Sequence, residues 1–184
     1  MPGKFVFPGG AVDTGDGLVV PETNLDPICA SRLSIGGNRP DSFAIAAIRE
    51  LWEETGLRLG TRANWPDPPA EWRLFAQSGH RPAAHPLRFI FRAITPPGNQ
   101  RRFDARFFLA DAAHLANDPD DFAGASDELR YLQWIPLAKA QQFDLPFITE
   151  IVLTEVAALL CVSGPPPSVP FFDNATDQPR FCRL

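Results

Sequence analysis

Cysteine is scarce in this chain. Cys29, Cys161 and Cys182 are odd in number and far apart. Such spacing supports neither a disulfide framework nor a zinc site, and it fits a reducing compartment such as the cytoplasm. Positive charge is also short. The net charge of −5 at pH 7 argues against a nucleic acid polymer held by bulk electrostatics, which needs a basic surface. Long apolar runs are missing as well. The longest, around Ile151 to Val162, is broken by Thr154 and Glu155. No segment therefore has the roughly 20 apolar residues of a membrane span. No leader pattern and no internal repeat is visible. Proline is the opposite case. There are 20 prolines among 184 residues, about twice the usual share, which predicts long extended connections. With 45% hydrophobic residues, a single domain with a sizeable core is expected.

The most informative stretch is Asp41 to Leu57. It reads as one helix, with Asp41 or Ser42 capping the start and Gly56 stopping it. At the 100° step of an α-helix, Ala44, Ala47, Ile48, Leu51, Trp52 and Thr55 gather on one face and are expected to pack inward. Glu50, Glu53 and Glu54 fan out on the other, with Arg49 at the margin. Like charges at this spacing cost roughly 0.2–0.5 kcal/mol per pair. They also lie in the half of the helix where the dipole disfavours anions. Arg49 is expected to answer Glu53 alone. Two readings are open at this point: a solvated acidic face, or a site for a hard divalent cation, whose oxygen ligands one helical turn would bring together.

The residues around the glutamates decide between them. Arg49-Glu50-Leu51-Trp52-Glu53-Glu54-Thr55-Gly56-Leu57 resembles the second half of a Nudix box. Phe7-Pro8-Gly9-Gly10-Ala11-Val12-Asp13 resembles the loop that opens it. The box also expects a glutamate six residues after Gly10 and eight before Arg49. Here those positions are Asp16 and Asp41, because residues 17–40 are inserted between loop and helix. Either aspartate can stand in for the glutamate. The insertion, together with Thr95-Pro96 and the Arg102 to Phe108 wording, is similar to the branch that includes the peroxisomal coenzyme A diphosphatases.

The resemblance implies an α/β fold: a Nudix-like mixed β-sheet sandwiched between helices, with the first strand missing ahead of a short strand at Lys4 to Phe7. A strand lost there predicts an unpaired sheet edge. The expected organisation is a Nudix hydrolase domain over residues 1–162, its inserted loop at about 17–40, and a Pro-rich tail over 163–184. The implied cofactor is Mg²⁺ or Mn²⁺, with Glu50, Glu53 and Glu54 as ligands, the Gly9 and Gly10 backbone close to the metal, and Glu128 as a further ligand or base. Glu50 is a ligand, a general base or a water-orienting group. Glu53 is catalytic through the cation, and Arg49 positions the carboxylates. Arg102 and Arg106 are expected phosphate contacts, with sheet-edge charge as the plain alternative. The implied activity is hydrolysis of the diphosphate bond in a nucleoside diphosphate derivative, coenzyme A or acyl-CoA first. The alternative is a Nudix-fold domain that binds a nucleotide without cleaving it. The partner is a small molecule, with neither nucleic acid polymer nor membrane, and a homodimer is an open option.

Elsewhere the expectations are local. Glu71 to Phe75, Leu87 to Ile94 and Arg101 to Ala110 read as strands, and Ser126 to Lys139 reads as a loop and then a strand ending in Trp134 to Leu137. Ile148, Val152, Val156, Leu159 and Leu160 mark the apolar face of a closing helix that begins at Pro146. His80 and His85 lie in a polar loop. The last dozen residues are expected to be loosely held.

Overall fold

The computed structural model describes residues 3–37 and 39–184. Met1 and Pro2, where the expected loop begins, and Asn38 within the insertion lie outside them. Among the described residues two compact units are present, one within 8–87 and 110–134, the other within 3–7, 88–109 and 135–184.

The first unit is organised around helices α1, Pro27–Leu33, and α2, Pro40–Thr55. In α1, Pro27 opens the helix and the Asp26 side chain caps it by accepting from the Ile28 N–H at 2.8 Å. In α2 the start differs from the expected Asp41 or Ser42 cap. Arg39 is the capping position, no side chain caps, and Pro40 takes the first turn, where its missing N–H costs nothing. The stop is as read from the sequence: Gly56 is left-handed, with φ 76°. Two short strands, β1 at Gly60–Arg62 and β2 at His80–Pro82, pair antiparallel. Between them Ala70–Trp72 is a 3₁₀ turn that runs into helix α3, Arg73–Gln77. Glu71 to Phe75 is therefore helical, not a strand. The Pro69 carbonyl accepts from the Trp72 N–H at 3.0 Å and starts the turn. Trp52 stacks on Trp72 at 6.3 Å, and Phe75 meets both rings edge-on. The insertion is structured. It starts at the end of a 3₁₀ helix, Thr14–Leu18, and carries α1, and the segment between them is stitched to β2 by Glu22 N–H to Pro82 O, 2.7 Å, and a Thr23–Ala83 bridge.

The second unit is a mixed four-stranded sheet in the order β4-β3-β5-β6. Its strands are β3, Arg88–Ile94, β4, Asp104–Leu109, β5, Pro170–Asp173, and β6, Arg180–Arg183. Strands β3 and β4 are antiparallel with a bulge between Phe89 and Phe91, whereas β3 and β5 are parallel. The sheet is open: β3 and β5 have neighbours on both sides, and β4 and β6 are its edges. Helix α4, Phe147–Leu159, lays Val152 and Leu159 on Ile90 and Phe91, with Ile148 and Val156 packed around them. Leu160 falls just past the helix and is exposed.

Three expectations are corrected here. Lys4 to Phe7 is not a strand. It is tied by Phe5 N–H to Asp144 O at 3.0 Å and by the Lys4–Asp144 ion pair, and Pro8 offers no N–H to extend a ladder. Trp134 to Leu137 is not a strand either. Pro136 lacks an N–H and its carbonyl accepts from Lys139 N–H at 2.8 Å, opening a 3₁₀ helix. Finally, the end of the chain is not loose. Phe172 packs edge-on against Phe91 at 5.5 Å and Phe181 against Phe172 at 4.9 Å, which seats β5 and β6 in the sheet.

Candidate active site

Helix α2 turns its acidic side toward the Gly9 to Asp16 segment of the same unit. The buried face is consequently wider than the apolar pattern alone indicates. Ala44, Ile48 and Thr55 are buried as expected, and so are Ile45, Arg49 and Glu54. Ala47, Leu51 and Trp52 are half-buried. Arg49 is only 6% exposed and Glu54 4%, so neither sits on a solvated face.

Arg49 is the hub. Its Nε and Nη2 donate to the two carboxylate oxygens of Asp16 at 2.9 and 3.1 Å, a bidentate pair. Nη2 also donates to the Ala11 carbonyl at 2.9 Å, and Nη1 donates to Glu50 at 2.8 Å and Glu53 at 3.2 Å. Asp13 lies 3.7 Å away. The expectation that Arg49 answers Glu53 alone is therefore corrected: the guanidinium spends all three nitrogens, mostly on partners distant in sequence. The pair with Asp16 raises the guanidinium's pKa, against burial, so Arg49 stays charged.

Of the two aspartates that could replace the first box glutamate, Asp16 is the one at the site. It is 1% exposed, accepts from the Asp13 N–H at 2.8 Å, and sits on the 3₁₀ helix Thr14–Leu18. That helix brings the backbone close enough for a shorter arm. Asp41 is exposed in the first turn of α2.

The two glycines hold the loop against the carboxylates. Gly9 N–H donates to Glu54 Oε2 at 2.7 Å. A Cβ on Gly10 would stand 2.4 Å from Glu50 Oε1, so only glycine lets that carboxylate in. Glu128 arrives from the 110–134 segment. Ser126 N–H donates to the Glu53 carbonyl at 2.9 Å, and Gly124 backbone lies against Gly56. This docking brings Glu128 near enough for its charge to act on Glu54.

The electrostatics follow. Burial pushes Glu54 up to about 7, the Gly9 N–H opposes this, and the charges of Glu50, Glu128 and Glu53 add to it. Glu53 is also raised, by burial first, against the pull of Arg49. One guanidinium thus meets four carboxylates, Asp13, Asp16, Glu50 and Glu53, and the charges of Glu50, Glu53 and Glu128 act on Glu54. Among the described residues no three or more His, Cys, Asp or Glu side chains are placed, as they stand, to hold a metal ion. The donor chemistry nevertheless fits a hard divalent cation: every donor is a carboxylate oxygen, and four carboxylates share one guanidinium.

Arg102 and Arg106 belong to the sheet unit. Arg102 donates to the carbonyls of Thr95, Asn174 and Ala175. Arg106 donates to the Asp104 carbonyl and carboxylate. His80 meets Ser78 Oγ at 3.0 Å, and His85 meets Thr23 Oγ1 at 2.8 Å, with the His114 ring 5.5 Å away.

No protein-family model matches the chain. A crystal structure of a NUDIX hydrolase from Alicyclobacillus acidocaldarius superposes with a TM-score of 0.55 at 28% identity, covering 85% of this chain and 77% of that one. This is the Nudix fold. A Caenorhabditis elegans protein whose name places it among the nudix hydrolases is 29% identical over 148 residues, 73% of this chain. The chain spans 42% of that relative's length. Sequence and structure together support a place in the Nudix hydrolase superfamily, with the box carried by α2 and its opening loop. Among the described residues no helix is long and apolar enough to cross a membrane.

Proposed function

We propose that the chain is a divalent-metal-dependent Nudix hydrolase. It splits the phosphoric anhydride of a nucleoside diphosphate linked to a second group, and coenzyme A and its acyl esters are the first substrates to try. The observation that carries this reading is the Arg49 network. A single buried guanidinium locks Asp16, Glu50 and Glu53 beside Glu54, in a cluster whose net charge calls for a cation. Mg²⁺ or Mn²⁺ on Glu50, Glu53 and Glu54 would neutralise the diphosphate and make a water acidic near neutral pH.

The chain's own groups have separate tasks. Arg49 stays protonated and fixes the Glu50 and Glu53 carboxylates by charge-assisted bonds. Gly10 leaves the space that Glu50 occupies, and Gly9 orients Glu54. Glu50, held by one oxygen to Arg49, is either a further ligand or the base that takes the proton of the attacking water. Attack on one phosphorus breaks its bond to the bridging oxygen and yields two phosphate monoesters. With coenzyme A these are 3′,5′-ADP and a phosphopantetheine.

The test is a panel of coenzyme A, acetyl-CoA, ADP-ribose, NADH and nucleoside triphosphates, incubated with Mg²⁺ or Mn²⁺ and with chelator, the products read by mass. Cleavage at the anhydride that chelator abolishes is the expected result. Tight binding of a panel member without turnover would instead make this a nucleotide-binding domain.

A further inference from the structure

Two of the chain's three histidines meet within the first unit, both of them exposed. The His85 and His114 rings stand 5.5 Å apart, centre to centre, with their planes at 80°. We propose that this pair binds a transition-metal ion of the imidazole-seeking class, Zn²⁺, Cu²⁺ or Ni²⁺, through one nitrogen of each ring. The site goes beyond the hydrolase reading and does not depend on it.

Spacing comes first. A metal ion sits about 2.0–2.1 Å from a ligating imidazole nitrogen, which is roughly 3.2 Å from the ring centre. Two rings held by one ion at a tetrahedral angle therefore have centres roughly 5 Å apart. The observed 5.5 Å asks for only a small closing movement.

Both rings are carried on fixed backbone. Ala84 N–H donates to Thr23 O at 2.8 Å and Leu87 N–H to Ala84 O at 3.0 Å, which holds the turn that bears His85. His114 ends the 3₁₀ helix Ala112–His114, and its N–H donates to Asp111 O at 3.0 Å. Just beyond, Ala116 N–H donates to Arg58 O at 2.7 Å. A pair placed in advance gives up less freedom on binding.

His85 also has the outer partner that a ligating histidine uses. Its Nδ1 lies 2.8 Å from Thr23 Oγ1. With its proton on Nδ1 the ring donates there, and Nε2 keeps its lone pair for a metal. Among the described residues the His114 ring has no hydrogen-bond partner, so neither of its nitrogens is spent. Burial and the charge of His114 hold His85 below the usual histidine range. At neutral pH it is therefore in the neutral form that binds metal.

The surroundings select the ion. Asp111, the carboxylate nearest to His114 in sequence, accepts from the Ala113 N–H at 2.9 Å. No carboxylate acts on His85. Imidazole nitrogen without carboxylate oxygen suits Zn²⁺, Cu²⁺ or Ni²⁺ and does not suit Mg²⁺. Among the described residues no third His, Cys, Asp or Glu completes a cage, so water takes the other positions. The ion would join the His85 turn, itself tied to the insertion through Thr23, to the 110–134 segment. Such a clip across a long loop stabilises the unit.

The test is NMR of the histidine ring signals of the whole chain, in excess Mg²⁺, during titration with Zn²⁺. The His85 and His114 signals are expected to move together and to stop at one Zn²⁺ per chain. His80, whose ring meets Ser78 Oγ, is expected to stay. In His114→Gln the His85 signal should need at least about tenfold more Zn²⁺, and His85→Gln should do the same to His114. Zn²⁺ should raise the melting temperature of wild type more than that of either variant. Both side chains are exposed, so neither replacement unfolds the chain, and melting without Zn²⁺ checks this. Still signals from the pair, an equal response from His80, or a response that survives loss of the other histidine would overturn the proposal. The pair would then be an edge-on ring contact alone. Turnover has no part in this readout, so failure of the hydrolase reading would leave the result standing.

Discussion

Asp16 and Arg49 form the buried contact on which the rest of the site depends. Removing one member of such a pair leaves the other charge without its best partner, at a cost of about 3–5 kcal/mol. Asp16→Ala is expected to lose stability in that range in urea denaturation, and Asp41→Ala almost none, since Asp41 is exposed. Gly10 should behave in the opposite way. Its added Cβ meets only the end of the Glu50 side chain, at 2.4 Å, which can swing aside cheaply. Gly10→Ala should therefore melt within a few degrees of wild type while losing at least about tenfold in kcat, because Glu50 no longer sits on Arg49. The sequence named Glu50, Glu53, Glu54 and Arg49. It left Asp16 and Asp41 as equals, because the 3₁₀ turn that folds Asp16 back is a tertiary arrangement with no periodic signal. It also put Glu54 on the side opposite the face expected to pack inward, although Glu54 is buried. A helical wheel shows which residues share a face, and only the loop packed over that face shows which of them are covered.

At the scale of elements, α2 and the loop docked on its end act as one piece. Gly56 is left-handed with φ 76°, and a Cβ there would lie 3.0 Å from the Gly124 backbone. Gly56→Ala meets both penalties. The left-handed conformation alone costs a residue with a Cβ about 1–2 kcal/mol, and pushing Gly124 away shifts the segment that carries Glu128. We expect urea denaturation to show a loss of about 2 kcal/mol or more, with Gly124→Ala milder because its Cβ meets Gly56 Cα only at 3.4 Å. The glycine stop of α2, strands β3 and β4 and the closing helix were legible because period and punctuation coincide there. Trp134 to Leu137 and Glu71 to Phe75 were not. Each is a run too short to fix a period, and adjacent prolines turn both into 3₁₀ starts. The closing hairpin β5–β6 was also hidden. Its strands have four residues each, and their order is set by packing on Phe91, far away in sequence.

For the molecule as a whole, the acidic balance ties stability to pH and to cations. Glu54 titrates near 7 in the fold against 4.5 for its ordinary value. Between those values the folded chain holds more proton than the unfolded one, so stability is full below about pH 4.5 as far as Glu54 is concerned. It is lost as the pH rises through about 7, by on the order of 3 kcal/mol. Urea midpoints in chelator should show this fall, and Glu54→Gln should flatten it. Mg²⁺ binds the ionised carboxylates, so it should raise the melting temperature more at pH 8 than at pH 5. The central claim is that this carboxylate cluster cleaves a diphosphate. The most direct measurement is turnover of the best panel compound, at fixed Mg²⁺, by wild type, Glu53→Gln and Glu54→Gln. The account predicts that each variant stays folded and loses about 100-fold or more in kcat. If both variants kept activity within a few-fold of wild type, the cluster would not be the catalytic site.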